Sequence, residues 1–299
     1  MKDLIIIGSG AAGMAAGIYA GRYDLDTMVI AKSTGGLLNE ATTVENYPGF
    51  VKIPGYELMK KFKEHLDSLE VPFVEEIVKK VEKTKKGFKV FCDKETYQAK
   101  SLILATGSER RKLNVPGEKE FSGKGVAYCA TCDGALFQDN TVAVVGGGNS
   151  AAQAALLLSQ YAKKVYILYR KDPLRADPIY HDRIKAEKKI EVMCCVNVVG
   201  IKGDKTGVTS VMLDNGKELK LEGVFIEIGW QPSIMLAKQL GVELDEKGFI
   251  KINDLAETNV KGVFAAGDCT TRPFKQAVVA AADGSTAAYS AFNYIKSLK

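Results

Sequence analysis

Leu4-Ile5-Ile6-Ile7-Gly8-Ser9-Gly10-Ala11-Ala12-Gly13 decides how this chain is read. Four apolar residues, three of them β-branched, form a short run without polar alternation, the pattern of a strand buried on both faces. Three glycines follow at once with the spacing Gly-x-Gly-x-x-Gly, and an alanine-rich helical pattern follows them. Each glycine has a separate physical task. The first permits a tight turn, the second lets the backbone approach a pyrophosphate, and the third lets the helix pack close to the strand. The anion rests on the helix N-terminus, where free N–H groups and the helix dipole favour it. A second strand is expected over Thr27 to Ala31, which completes a βαβ unit.

The pattern occurs again. Thr141-Val142-Ala143-Val144-Val145 runs into Gly146-Gly147-Gly148-Asn149-Ser150-Ala151, and a further strand is expected over Lys164 to Leu168. Two βαβ units imply two nucleotide-binding domains, and 299 residues suit two domains of roughly 150 residues each. The last third reads differently. Gly216 to Leu221 alternates, Val224 to Ile228 is an apolar strand, and Gly229-Trp230-Gln231-Pro232-Ser233 is a turn-rich hinge. Val260 to Asp268 forms a strand ending at a glycine–acid pair, and Gln276 to Ile295 reads as one long helix of small residues. The expected fold is α/β: two Rossmann-like nucleotide-binding domains of three-layer ββα type, the second inserted into the first. Residues 1–112 and 243–299 form the outer domain and 113–242 the inserted one.

Apolar residues make up 46% of the chain and charged residues 26%, enough to bury full cores. The net charge of +5 is spread over Lys and Arg mixed with Asp and Glu. A nucleic-acid binder would carry a basic stripe, so nucleic acid is not an expected partner. The run Leu4 to Ile7 is too short for a signal peptide, and no stretch approaches the ~20 apolar residues of a membrane span. The expected location is the cytoplasm, with no membrane partner. In that reducing setting a Cys-x-x-Cys reads as redox or metal-binding, not as a structural staple. Cys92, Cys194, Cys195 and Cys269 have no metal-like spacing, and His65 and His181 lie near no cysteine cluster. No metal is expected.

The Cys-x-x-Cys is Cys129-Ala130-Thr131-Cys132, followed by Asp133-Gly134. Two thiols at this spacing close a small ring, one attacking as thiolate and the other resolving. A leaving thiolate must be protonated, and no histidine is near in sequence. Asp133 is therefore the candidate proton carrier.

The ends of the second strands bear on which nucleotide each turn holds. After the first unit the chain reads Val29-Ile30-Ala31-Lys32, without the acid that would hold a ribose 2′-OH. This weakens an NAD reading there and leaves FAD open. After the second unit it reads Tyr169-Arg170-Lys171-Asp172-Pro173-Leu174-Arg175. Arg170, Lys171 and Arg175 can accommodate a 2′-phosphate, which favours NADPH. The competing reading is a solvated basic loop.

Over its whole length the chain resembles the low-molecular-weight thioredoxin reductases. The residues that carry the likeness are Gly8 to Gly13, Val44-Glu45-Asn46-Tyr47-Pro48-Gly49, Ala105-Thr106-Gly107, Cys129 to Gly134, Gly146 to Ala151, Gly267-Asp268 and Gln276-Ala277. The resemblance implies FAD in the outer domain, NADPH in the inserted domain with the redox pair, and a homodimer. It implies FAD contacts from Gly8, Gly10, Ala11, Ala12, Gly13, Gly36 and Leu37, and from Ala105, Thr106 and Gly107. Gly267 and Asp268 would meet the pyrophosphate and ribitol, and Asn46, Gln276 and Ala277 the isoalloxazine. NADPH contacts are implied for Gly146, Gly148, Asn149, Ser150, Ala151, Arg170, Lys171 and Arg175. Cys269 reads as small packing beside the FAD. Two departures stand out. Gly35-Gly36-Leu37-Leu38 replaces the family's Gly-Gly-Gln-Leu, removing a polar flavin neighbour. Tyr169-Arg170-Lys171 replaces His-Arg-Arg, and Lys offers a point charge where Arg offers a fork.

The activity so implied is thioredoxin-disulfide reduction. Electrons pass from NADPH through FAD and the Cys129–Cys132 disulfide to a thioredoxin- or glutaredoxin-like protein, with Cys132 toward the flavin and Cys129 attacking the partner. A rotation about linkers near Leu113 to Gly117 and Trp230 to Ile234 would let the pair serve both. Three other readings remain: a ferredoxin or deazaflavin donor, a dithiol oxidase that uses oxygen, and a non-catalytic nucleotide-binding redox sensor.

Overall fold

The structure, a computed structural model, describes residues 1–41 and 43–298. The chain divides into two compact units, Met1–Glu109 with Gln231–Lys299, and Arg110–Trp230. The second is inserted into the first.

In the first unit the strand Lys2–Ile7 is central. It pairs in parallel with Thr27–Ala31 on one side and with Thr96–Leu104 on the other. Phe73–Glu75 extends the sheet beyond Thr27–Ala31, also in parallel. Thr96–Leu104 is long enough for two neighbours: its first half pairs antiparallel with Gly87–Cys92, and its last residues pair in parallel with Val263–Ala265. Val78–Thr84 completes the seven-stranded sheet as an antiparallel edge. Leu4 and Ile6 enter one buried cluster and Ile5 and Ile7 another. Both faces are therefore covered, which is why the run shows no polar alternation. The helices Ala11–Arg22 and Ala277–Lys296 lie against one another on small residues. A Cβ on Gly284 would stand 2.0 Å from the Ala12 carbonyl oxygen, so glycine there is a condition of the packing.

The second unit carries a five-stranded parallel sheet in the order Ile190–Cys194, Lys164–Tyr169, Thr141–Val145, Gly223–Ile226, Val126–Ala127. The helix Asn149–Leu158 packs its alanines and Leu158 against one face. A three-stranded antiparallel sheet of Val198–Asp204, Gly207–Leu213 and Glu218–Lys220 closes the other. This is the three-layer ββα arrangement.

The division of the chain differs from the expected boundaries. Residues 231–242, assigned from sequence to the inserted domain, belong to the first unit, and residues 110–112 to the second. The short helix Met235–Gln239 explains the former, because Leu236, Ala237, Leu240 and Val242 are buried in the cluster that holds Ile5 and Ile7. Within each unit the two broken ends lie side by side. Ser233 N–H donates to the Gly107 carbonyl at 3.0 Å in the first, and Arg111 N–H to the Gly229 carbonyl at 3.0 Å in the second. Among the described residues, no helix is long and apolar enough to cross a membrane.

Candidate functional site

The central strands of the first unit end together. Gly8 N–H donates to the Ile30 carbonyl at 2.9 Å, Ala105 N–H to Ile7 at 2.9 Å, and Ala266 N–H to Leu104 at 3.0 Å. Ligands of open α/β sheets bind beyond such strand ends. Gly8 has φ +113°, and a Cβ there would lie 2.1 Å from the Ala105 carbonyl oxygen. A Cβ on Gly13 would lie 1.9 Å from the Gly8 carbonyl oxygen, whereas one on Gly10 would meet nothing within 4 Å. Two of the glycines are thus demanded by the fold. Gly10 keeps an open surface instead, and no side chain caps the helix there, so its first N–H groups are free for an anion. This cradle fits the pyrophosphate of an extended dinucleotide such as FAD, held by Gly10, Ala11 and Ala12. Gly36 faces Gly10, since its Cβ would be 3.4 Å from the Gly10 Cα, and Gly36 and Leu37 open the 3₁₀ turn Gly36–Glu40.

Residues far apart in sequence meet on the same unit. Asn46 Nδ2 donates to Gln276 Oε1 at 2.9 Å, immediately before the helix that starts at Ala277. Gly267 has φ +78°, and its Cβ would touch the Ala12 Cβ at 3.0 Å, so the turn Gly267–Cys269 brings Asp268 to the first fingerprint. Burial pushes the Asp268 carboxyl above its ordinary value; the Lys275 ammonium opposes this and the Asp283 carboxylate adds to it. Burial likewise lowers Lys275, against the pull of Asp268. Thr106 spends its hydroxyl on the Ser233 carbonyl at 2.6 Å. Cys269 is fully buried with its thiol toward the Leu104 and Ala266 carbonyls. Burial pushes that thiol up, which suits packing and not redox work.

The second unit repeats the turn. A Cβ on Gly146, φ +145°, would lie 2.1 Å from the Glu227 carbonyl oxygen, and one on Gly147 would lie 2.5 Å from the Tyr169 ring. Gly148 is open except for the Arg175 guanidinium 3.8 Å from its Cβ position. Arg175 is brought there by its own N–H, which donates to the Gly147 carbonyl at 2.6 Å. Asn149 is occupied structurally: its amide exchanges two hydrogen bonds with Asp177, at 2.8 and 2.7 Å. A cleft of about 640 Å³ runs along this turn, and Gly146 to Ser150, Arg170, Arg175, Arg111, Lys112 and Ile228 to Trp230 are among the residues that line it. A glycine turn at a helix start with arginines beside it fits a pyridine nucleotide. Of the three expected cations, Arg170 and Arg175 line the cleft; Lys171 is exposed and not among its lining residues.

Cys129 and Cys132 form a disulfide with Cα atoms 5.3 Å apart. The Cys132 N–H donates to Cys129 Sγ at 3.1 Å, and the Asp133 N–H to the Cys129 carbonyl at 3.1 Å. Cys132 is exposed and Cys129 half-buried. The turn is anchored by Ala130, buried, and by Gly134, whose Cβ would touch Leu158 at 3.2 Å. The preceding Tyr128 donates its hydroxyl to Glu118 Oε1 at 2.8 Å, and the nearly buried Glu118 also accepts the Leu113 N–H at 3.0 Å. The redox turn and the segment following the first crossing therefore share one carboxylate. Among the described residues, no group of three or more His, Cys, Asp and Glu could hold a metal ion.

Sequence reasoning missed several residues that the fold brings to these sites. Asp283, nearly buried in the long helix, binds Arg272 Nε through Oδ1 at 3.0 Å, and its Oδ2 has no hydrogen-bond partner among the described residues. Lys275 stands beside Asp268. Arg110 pairs with Glu227 at 3.1 Å, and its guanidinium lies 4.6 Å from the Trp230 ring centroid. The signal available was that Trp230 is the chain's one tryptophan and stands in a hinge.

Comparison with known proteins agrees with this geometry. The family model described as pyridine nucleotide-disulphide oxidoreductase matches residues 2–284. A thioredoxin reductase of Listeria innocua is 41% identical over 303 residues, covering 99% of this chain and 95% of that protein. The crystal structure of Lactococcus lactis thioredoxin reductase has a TM-score of 0.96 at 37% identity, covering 99% of this chain and 100% of the other. A ferredoxin-flavin thioredoxin reductase from Clostridium acetobutylicum has a TM-score of 0.53 at 34% identity, with 99% and 98% covered.

Proposed function

Because the chain belongs to the pyridine nucleotide-disulphide oxidoreductase family, we propose that it is an NADPH-dependent thioredoxin-disulfide reductase with FAD as its bound cofactor. The observation that carries this reading is the closed Cys129–Cys132 disulfide on the same unit as the second dinucleotide turn. A flavin, when bound, supplies two-electron chemistry between a nicotinamide and a disulfide.

The chain's own residues have distinct tasks in this reading. Gly10, Ala11 and Ala12 present amide N–H groups to the FAD pyrophosphate, and Asp268 accepts from the ribitol. The mutual hydrogen bond of Asn46 and Gln276 fixes two amides beside the ring, with Ala277 at the helix start. Thr106 holds the chain at Ala105 to Gly107 through the Ser233 carbonyl. On the second unit, Gly146 and Gly148 seat the NADPH pyrophosphate at the start of Asn149-Ser150-Ala151, and Arg170 and Arg175 take its 2′-phosphate. Once the disulfide is reduced, Cys129 attacks the partner's disulfide as thiolate. Cys132 then closes the ring and releases the partner's second thiolate, and Asp133 carries the proton. The partner is a thioredoxin- or glutaredoxin-like protein, the working form is a homodimer, and the setting is the reducing cytoplasm, which keeps such a pair turning over.

The test is an anaerobic titration of the purified yellow protein with NADPH and with NADH, followed by an oxidised thioredoxin. Bleaching by NADPH and reduction of the thioredoxin are expected. Bleaching by reduced ferredoxin but by neither nucleotide would replace the donor. A Cys132→Ser protein that reduces the thioredoxin at the wild-type rate would remove the redox pair from the mechanism.

A further inference from the structure

We propose that the indole of Trp230, backed by the Arg110 guanidinium, is the stacking surface for the nicotinamide nucleoside at the far end of the second unit's cleft. The assignment rests on the reading that this cleft takes NADPH. A dinucleotide lies across the carboxyl ends of the strands with its pyrophosphate on the glycine turn, so its two nucleosides extend to opposite sides. Here the strand Thr141–Val145, which leads into Gly146 to Gly148, lies between Lys164–Tyr169 and Gly223–Ile226 in the sheet. Arg170 and Arg175 follow Lys164–Tyr169 and line the cleft on that side, which is thereby the adenosine 2′-phosphate side; Arg111 and Lys112 line it as well, but Arg111 is bonded to the Trp230 and Gly229 carbonyls. The other nucleoside must go the opposite way, past Gly223–Ile226, where Ile228, Gly229 and Trp230 line the cleft. Trp230 is the aromatic side chain at that end.

The indole is held in place before any ligand arrives. The guanidinium of Arg110 covers one face, 4.6 Å from the ring centroid. Arg110 is in turn bound by Glu227 at 3.1 Å, with both side chains largely buried. Glu227 is locked to the fingerprint itself: its N–H donates to the Val145 carbonyl at 2.8 Å, and its own carbonyl lies beneath Gly146. Arg111 Nε holds the Trp230 carbonyl at 2.9 Å, and the Arg111 N–H holds that of Gly229 at 3.0 Å. The ring is thus registered to the pyrophosphate turn by a chain of short contacts. Affinity from a flat ring stacking on it carries little ordering cost. Trp230 is accordingly a binding residue, and Arg110 and Glu227 are positioning residues behind it.

The experiment compares two probes on the FAD-loaded full-length protein by isothermal titration: NADP⁺, and adenosine 2′,5′-bisphosphate, which lacks the nicotinamide half. Wild-type protein should bind both. Trp230→Ala should weaken NADP⁺ ~10-fold, the scale of one lost stacking contact, and leave the bisphosphate within about twofold. Trp230→Phe, which keeps a ring, should recover most of the NADP⁺ affinity and guards against misfolding. Arg175→Ala should weaken both probes. As the single tryptophan, Trp230 should also show fluorescence quenching by NADP⁺ but not by the bisphosphate. If wild-type protein binds both probes and Trp230→Ala changes both alike or neither, the assignment falls while the NADPH reading stands. If wild-type protein binds neither probe, both fall together.

Discussion

Arg110 and Trp230, the first and last residues of the inserted unit, face one another, with the guanidinium 4.6 Å from the indole centroid. Arg110 is also ion-paired to Glu227, and the two side chains are only 18% and 9% exposed. Removing one member of a largely buried pair leaves the other charge poorly compensated. Arg110→Ala should therefore cost ~3 kcal/mol in denaturant unfolding of the holoprotein. A loss below ~1 kcal/mol would put the pair among ordinary surface ion pairs.

The glycines of the first fingerprint should separate by task. Gly13→Ala places a Cβ 1.9 Å from a carbonyl oxygen, while Gly10→Ala places one in open space. Gly13→Ala should cost ~2–3 kcal/mol of stability from overpacking. Gly10→Ala should fold with unchanged flavin-free stability yet retain less FAD after gel filtration. Equal losses of stability in the two would show that the open face of Gly10 has no special role.

Preference for a 2′-phosphate should reside in one arginine more than in the basic run as a whole. Arg175 stands at Gly148, whereas Lys171 is exposed outside the cleft. A charge-assisted hydrogen bond lost at Arg175→Ala should raise KM for NADPH ~10- to 100-fold and leave KM for NADH nearly unchanged. Lys171→Ala should change neither by more than about threefold. Steady-state kinetics with both nucleotides decides this, and a larger effect at Lys171 would reverse the assignment.

Asp133 adjoins the disulfide, and its N–H is bound to the Cys129 carbonyl. If it carries the proton of the leaving thiolate, Asp133→Asn should slow thioredoxin reduction ~10²-fold. Stopped-flow bleaching by NADPH should keep its wild-type rate, since that step precedes the thiol chemistry. Slowing of both phases together would point to a structural role instead.

Asp268 supplies a pH dependence. Burial raises its carboxyl in the folded state, so the folded chain holds the proton more tightly than the unfolded chain does. Its contribution to stability is therefore full below the ordinary carboxylate value and is lost as pH rises through the raised value. Flavin-free Asp268→Asn should lack this loss and melt higher than wild type near neutral pH, while holding FAD more weakly. Thermal unfolding of both flavin-free proteins from acid to neutral pH checks the sign. Wild type remaining the more stable at neutral pH would contradict it.

Much of the site was legible in the sequence because its parts are local. A glycine turn between a buried strand and a helix needs residues only a few positions apart, and so does a Cys-x-x-Cys ring. Lys171 shows the limit of local reading. A cation two residues from Tyr169 looks equivalent to Arg170 and Arg175, and only the path of the loop shows that Arg175 returns to the Gly148 turn while Lys171 stays exposed. Residues 231–242 show another. A turn-rich stretch reads as a seam, but burial of Leu236, Ala237, Leu240 and Val242 against Ile5 and Ile7 assigns them to the first unit.

By itself the sequence determined the two dinucleotide turns, the insertion of one unit into the other and the redox pair, since each follows from glycine conformation, apolar patterning or thiol spacing over short range. Only the tertiary structure decided which distant residues meet: Asn46 with Gln276, Asp268 with Lys275, and Arg110 with Glu227 and Trp230. Such pairs depend on strand order and on where the chain leaves and re-enters a unit. Those are set by the summed burial of whole sheets, and no short stretch of residues records them.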